Sequence, residues 1–282
     1  MTPFVRLLVY LVAAPLLGGL LAGLDRKISG RMQARMGPPL WQPFYDVWKL
    51  WRKENIVVRR SQNYYVFFFL LFVIFTGALF FAGFDLLLMV FALTLAGIFF
   101  VLAAYKASSP YSFIGAEREL IQMMAYEPMV LLTAVGMYMA GGSFYVHDLA
   151  SRSSSLIWPL PGVFLGFLFV LVIKFRKSPF DLSCSHHAHQ ELVRGITTEF
   201  SGSALAMIEV AHWYENVLLL GWVYLFFSAW PVLGVAAALA VFLLMILVDN
   251  TCARLKWQTT LKSAWIVTLV LGFGNLLVLS FL

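Results

Sequence analysis

Eight apolar runs, each near the length of a bilayer-spanning helix and each bounded by polar or turn-forming residues, set the outline of this chain. They fall at about 2–24, 64–82, 86–105, 121–140, 157–173, 203–227, 232–248 and 263–282. A hydrocarbon layer of ~30 Å is crossed by roughly 20 residues of α-helix, and no water is available inside it to satisfy an open backbone. The expectation is therefore an all-α, polytopic membrane protein with about eight transmembrane helices. Composition agrees, with 61% hydrophobic and only 12% charged residues, where a soluble domain carries about a quarter. Too little polar sequence is left over for a soluble unit, so 1–282 reads as a single integral membrane domain. Runs two and three are separated only by Gly83, Phe84 and Asp85, and runs six and seven by about 229–231, which predicts two tight helical hairpins.

The cations orient the chain. Of the 20 Lys and Arg, 18 fall in alternate loops at about 25–63, 105–120, 174–202 and 249–262, and only Arg6 and Arg152 lie on the other side. Basic loops stay on the cytoplasmic face, which puts those four loops inside, both termini on the outer side, and the protein in the cytoplasmic (cell inner) membrane. The net charge of +6 thus reports orientation toward membrane lipid, and no nucleic acid partner is implied. One early Arg6 without a small-residue cleavage site indicates a retained first span. Cys184 and Cys252 are too few and too distant in sequence for a disulfide framework, so reduced thiols are expected.

Within the first loop, Phe44, Val47, Trp48 and Trp51 recur at helical spacing against Asp46, Lys49, Arg52 and Lys53. That pattern predicts an interfacial amphipathic helix. Ahead of it, Arg31, Gln33 and Arg35 precede Gly37-Pro38-Pro39, a rigid turn presenting polar side chains. Further on, Glu119 and Glu127 are eight residues apart and share roughly one helical face. Glu209, His212 and Glu215 are spaced by three, forming one stripe on an otherwise apolar helix. Ionisable residues at membrane depth are expensive unless paired or wetted, and so mark function, a buried ion pair or interhelical contacts. For Glu127, well inside run four, a buried ion pair with Arg118 or with a basic residue on another helix is the structural alternative. Asp249 and Arg254 at the end of run seven can snorkel to the interface.

The densest polar stretch is 174–202, KFRKSPFDLSCSHHAHQELVRGITTEFSG. Cys184, His186, His187 and His189 have the residue types of a zinc or iron site, but their spacing lacks a regular second ligand pair, and hydrogen-bonding or titrating imidazoles fit as well. Glu191 and Glu199 repeat the spacing of Glu119 and Glu127. Carboxylates that neighbour one another or lose solvent have raised pKa values, which suits proton transfer near neutral pH. Asp181, Glu191, Glu199, Glu119, Glu127 and Glu209 are therefore the candidate proton pathway.

Several motifs together resemble a known family. R-x-Q-x-R-x-G-P at 31–38, D-x-x-K-L-x-x-K-E at 46–54, P-F-D-L at 179–182 and Q-E-L-x-x-G-x-x-x-E-F-S-G at 190–202 resemble the heel subunit of complex I, which borders the quinone site. S-P-x-x-x-I-G-A-x-R-E at 109–119, E-P-M at 127–129 and N-x-x-A-R-L at 250–255 are similar to membrane subunits of group 4 [NiFe] hydrogenases. The His-rich SCSHHAHQEL after P-F-D-L resembles the Ech-type energy-converting hydrogenase and departs from the acidic quinone-chamber loop.

The resemblance implies a subunit without a catalytic residue, cofactor or metal of its own, the NiFe centre and iron–sulfur clusters belonging to partners. Hydrogenase large and small subunits would dock on the cytoplasmic loops, through Arg31, Gln33, Arg35, Asp46, Lys49, Glu54, His186, His187 and His189. Ferredoxin would act through the complex, and an antiporter-like membrane partner would take up the coupled H⁺ or Na⁺. Three alternatives stay open: a quinone-site subunit of an NADH:quinone oxidoreductase, a stand-alone ion transporter, and a purely structural anchor.

Overall fold

A computed structural model describes residues 3–56, 59, 61–180, 183 and 192–281. Eleven α-helices follow one another among them: α1 (Pro3–Met32), α2 (Gln42–Trp51), α3 (Ser61–Ala82), α4 (Leu86–Lys106), α5 (Pro110–Gly141), α6 (Val146–Ala150), α7 (Pro161–Lys174), α8 (Gly202–Phe226), α9 (Pro231–Thr251), α10 (Trp257–Val267) and α11 (Gly274–Phe281). A π-helical segment, Thr268–Phe273, joins the last two, so 257–281 runs as one continuous helical span. No strand occurs among the described residues.

Six of the eight expected spans are helices long and apolar enough to cross a membrane: α1, α3, α4, α5, α9 and the α10–α11 unit. The other two runs form α7, which has only 14 residues, and α8, which has 25 but whose polar stripe dilutes its hydropathy. Helix ends differ from the sequence reading where polar residues continue a helix beyond the apolar run. Thus α1 extends to Met32, and α5 begins at Pro110, so most of the expected loop 105–120 is helical. Proline at the first helical position costs no hydrogen bond, which explains the early start of α5.

The hairpin turns fall where the sequence puts them. Between α3 and α4, Asp85 caps the second helix by accepting from the N–H groups of Leu87 and Leu88 at 2.8 and 3.0 Å, while Gly83 takes a φ of +90° that favours glycine. The turn pairs with the start of α6: Leu86 N–H donates to Phe144 O at 2.9 Å and Val146 N–H to Phe84 O at 3.0 Å. Arg6 and Arg152 lie at this end, Arg6 beside His147.

All four basic segments meet at the opposite end, stitched by hydrogen bonds across long sequence separations. Gln33 donates to Asn250 at 3.0 Å, Asn55 to Ser203 at 2.6 Å, Tyr111 to the Val193 carbonyl at 3.0 Å, and Leu255 N–H to Pro179 O at 2.7 Å. The alternation of cations along the sequence is thus a real separation of the molecule into a basic end and one whose few charges, Arg6, Asp85, Asp148 and Arg152, balance.

Helix α8 is the hub, packed against α1, α2, α3 and α9, while α5 packs against α4, α7 and α10. Trp222, Phe100, Phe167 and Phe226 are fully buried between these layers. Close approach depends on glycine at particular points: a Cβ on Gly18 of α1 would collide with the Trp213 carbonyl oxygen of α8, and small residues let helices approach in this way within membranes. On the outside, Leu8, Val9, Val12, Leu16 and Leu17 of α1 are 48–64% exposed, a surface that suits acyl chains and not water.

Helix α2 lies against α1 and α8, with Pro43 buried and the Phe44 ring 5.2 Å from that of Trp213. Its apolar residues divide otherwise than the sequence spacing suggests. Phe44 faces inward, whereas Trp48 and Trp51 join Trp41 and Tyr45 on an outer face, 55–62% exposed, with Arg52 stacked 4.8 Å over Trp48. Exposed Trp and Tyr beside cations suit the headgroup level of a membrane.

Candidate functional site

Residues 174–177 end α7 and organise the charged interior. The helix stops as Arg176 takes a left-handed φ of 56°, so three cations leave one helix terminus in three directions. Lys174 points inward. Its Nζ is 3.0 Å from Glu215 Oε1 of α8 and 4.1 Å from the centre of the Tyr126 ring of α5, a cation–π contact that replaces part of the lost hydration. Arg176 approaches Glu119 of α5 at 3.7 Å and stacks 5.3 Å over Phe100. Lys177 bridges Asp25 of α1 at 2.5 Å and Asp249 of α9 at 3.2 Å, and Asp249 also accepts from the Ser178 N–H at 2.9 Å.

The first two pairs enclose one small cavity of about 20 Å³, lined by Glu119, Gln122, Tyr126, Lys174, Arg176 and Glu215 together with apolar residues such as Phe69 and Phe100. A much larger cleft opens between α1, α2 and α8 at the basic end. It comprises two cavities of about 480 and 550 Å³ that share Arg26, Arg194, Leu205, Glu209 and Trp213. Lys174 and Arg176 line both cleft and cavity, and His212 of the cleft adds a second link, its Nδ1 lying 3.4 Å from Glu215 Oε2. A line of ionisable groups, Glu209 and His212 in the cleft and then Glu215, Lys174, Arg176 and Glu119, therefore runs from the basic end into the bundle.

The expected pathway residues are only partly brought together. Glu119 is buried and takes Arg176 and the Ser183 hydroxyl as partners, and Arg118 stacks over Trp257. Glu127 lies two turns deeper and is half-buried, its Oε1 without a hydrogen-bond partner, and it does not line the cavity that Glu119 lines. Glu209 lines the cleft, not the interior cavity. Glu199 is half-buried, and its backbone carbonyl accepts from Gln62 at 3.5 Å. Asp181, Cys184, His186, His187, His189, Gln190 and Glu191 lie outside the described residues. Among the described residues no three His, Cys, Asp or Glu side chains come together as metal ligands.

Of the expected docking residues, Arg31, Gln33 and Arg35 are exposed around a turn at Ala34, where Arg35 donates to Gln33. Asp46 accepts from Arg26 at 2.7 Å and from Gln42 at 2.8 Å. Lys49 lines the cleft, and Glu54 is exposed beside Gly202.

Sequence reasoning passes over Lys174, Arg176 and Lys177, which read there as topology signals, and leaves Glu215 out of the pathway. It also takes Asp249 for a snorkelling residue, whereas Asp249 is tied to Lys177 because α9 ends against the α7 terminus. One signal was present: three cations directly after an apolar run must find anions or water.

Fold and site define a class of protein, a polytopic helical membrane protein with ion pairs inside its bundle and a cleft leading to them from its basic end. The chain belongs to the NADH dehydrogenase family, whose model matches residues 5–280. It is 31% identical to hydrogenase-4 component C of Escherichia coli (strain K12) over 204 residues, 67% of this chain and 64% of that relative. An NADH-quinone oxidoreductase subunit of Dehalococcoides mccartyi (strain ATCC BAA-2266 / KCTC 15142 / 195) is 29% identical over 318 residues, covering 99% of this chain and 87% of the relative. Its counterpart in Syntrophotalea carbinolica (strain DSM 2380 / NBRC 103641 / GraBd1) is 30% identical, covering 90% and 88%. Among solved structures, a chain of the membrane-bound sulfane sulfur reductase, an archaeal respiratory membrane complex, superposes with a TM-score of 0.85 over 97% of this chain and 99% of its own, at 23% identity. That likeness shows the fold. The relatives are membrane subunits of oxidoreductase complexes, and this chain is of their type.

Proposed function

We propose that the protein is the membrane-anchoring and energy-coupling subunit of a ferredoxin-linked, energy-converting [NiFe] hydrogenase. Its basic end faces the cytoplasm and docks the hydrogenase large and small subunits, which carry the NiFe centre and iron–sulfur clusters. Arg31, Gln33, Arg35, Asp46, Lys49, Glu54 and the triplet His186, His187 and His189 are its docking residues. The observation that carries the reading is the line of buried ionisable groups from the cleft through His212, Glu215, Lys174 and Arg176 to Glu119. Such groups are expensive inside a membrane and repay that cost as a path for charge.

In this reading, redox change in the docked subunits shifts segment 174–202 and alters the protonation of Asp181, Glu191 and Glu199. Glu209, Glu119 and Glu127 pass the change toward an antiporter-like partner that moves H⁺ or Na⁺. Coupling of that kind needs two conformations that bind protons differently. The similarity to hydrogenase-4 component C and the His-rich loop support a hydrogenase over other members of the family.

A second reading, a quinone-site subunit of an NADH:quinone oxidoreductase, is favoured by the cleft. Its volume is in the range of small-molecule sites, ~300–1,000 Å³, and it combines Leu205 and Trp213 with Arg26 and Glu209. Purification of the native complex through a tag on this chain separates the readings. The hydrogenase reading expects a nickel-containing partner and H₂ evolution that generates an ion gradient. Recovery of NADH-dehydrogenase subunits with labelling of the cleft by a photoreactive quinone gives the second reading instead. Ion transport by the chain alone in liposomes overturns both, and normal coupling in Glu127→Gln and Glu191→Gln variants leaves only an anchor.

A further inference from the structure

The cavity between the two interior ion pairs contains one polar group that the pairs do not explain. Gln122 of α5 is 6% exposed, lines this cavity and a smaller one of about 10 Å³ beside Arg118 and Trp257, and its Nε2 has no acceptor; of the two, the ion-pair cavity is the roomier. A buried amide N–H without a partner is uncommon in native proteins and costs ~1–3 kcal/mol. The cavity measures about 20 Å³, and one water needs ~10–15 Å³ by the same measure, along with two or more polar partners. Glu119 and Glu215 line the same space from α5 and α8. Both are already engaged by cations, at 3.7 Å by Arg176 and 3.0 Å by Lys174, and each carboxylate has lone pairs to spare.

We propose that Gln122 is a positioning residue that holds a single relay water between the Arg176–Glu119 and Lys174–Glu215 pairs. Gln122 Nε2–H donates to the water oxygen. That leaves both water hydrogens to point at carboxylate oxygens, one on Glu119 and one on Glu215. In a transfer step, a protonated Glu119 gives its proton to the water oxygen as the water gives one of its own to the Glu215 carboxylate. Glu119 becomes a carboxylate, Glu215 a carboxylic acid, and the water is regenerated with its orientation reversed. Gln122 exchanges no proton and stays neutral throughout, so it fixes the water without trapping the charge. Glu127 lies outside the cavity and takes no part in this one step. The relay rests on the coupling reading above, but the water site does not.

The test uses the native complex purified from membranes, with Gln122→Leu, which removes the donor at similar volume, and Gln122→His, which restores a ring N–H. High-resolution maps of wild type are expected to show water density in the cavity, lost in Gln122→Leu. The rate of ion translocation is expected to fall about tenfold in Gln122→Leu, the rate equivalent of roughly one hydrogen bond, and to recover in part in Gln122→His, with native gels reporting assembly. No density in wild type, or equal density in Gln122→Leu, overturns the site. Density lost with translocation unchanged, where Glu215→Gln halts translocation, overturns the relay. If Glu215→Gln also leaves translocation unchanged, the water site stands and the coupling reading falls.

Discussion

Lys174 and Lys177 leave the same helix end one turn apart and meet different fates. Lys174 enters the bundle, where its side chain is 7% exposed and faces Glu215 at 10%. Lys177 stays at the basic end, bridging Asp25 and Asp249, which are 23% and 14% exposed. The first pair is the less exposed, beside a cavity with room for about one water. The second is more open to solvent, and it ties three separate elements, α1, α9 and the segment after α7, into one end. A buried ion pair is weak evidence for net stability, because desolvation offsets attraction, yet breaking one side is costly. The inner pair is thus a functional candidate kept at some energetic expense, and the outer cluster is a clasp.

That contrast can be broken by substitution. The largest effect is expected for Lys174→Met, which strands Glu215 without a cation; thermal melting of the purified complex should register a loss of about 3–5 kcal/mol. Adding Glu215→Met to it should recover most of the loss, because an apolar pair of similar size replaces a buried ion pair at little cost. A double variant no better than the single would show that Glu215 has other obligatory partners. Next in size is Lys177→Ala, expected to cost about 1–3 kcal/mol, since two carboxylates lose their donor but keep some access to solvent. Proteolysis at the basic end should rise in that variant, and an effect as large as that of Lys174→Met would erase the distinction between interior pair and clasp.

The smallest effect is expected at Arg26–Asp46, whose side chains are 42% and 37% exposed. Arg26→Ala should cost about 0.2–1 kcal/mol, with the loss shrinking as salt is raised, as for surface pairs. Melting curves at two ionic strengths, compared with Lys174→Met, should show salt dependence at the surface pair alone.

Much of the fold was legible because apolar length and the period of helices are local properties. The Gly83–Asp85 turn, the hairpin it makes and the gathering of basic segments at one end all follow from residues near one another in sequence. Helix ends were less so. Asp25 and Ser29 belong to α1, and 110–120 to α5, although they are too polar to belong to a membrane-length run, since helices continue into headgroups wherever their side chains find partners. The interfacial helix α2 was legible, but not that Phe44 alone of its aromatic residues turns inward against Trp213. Trp48 and Trp51 are hydrophobic but amphipathic, and such rings settle at the membrane–water boundary as readily as in a core.

The site was legible in its members and not in its pairings. Glu119, Glu209 and the His212–Glu215 stripe stood out as charge at depth, but nothing local says that Glu119 answers to Arg176 and not to its neighbour Arg118. By itself the sequence determined the class of molecule: helical, membrane-embedded, basic at one end, with ionisable residues at depth. Tertiary structure alone decided which of those charges meet, because the partners come from α1, α5, α7, α8 and α9. The helix end at Lys174 and the left-handed residue at Arg176 send Lys174, Arg176 and Lys177 toward different helices. Pairing energy depends on distance and solvent access, and both are set by packing across the bundle and not by spacing along the chain.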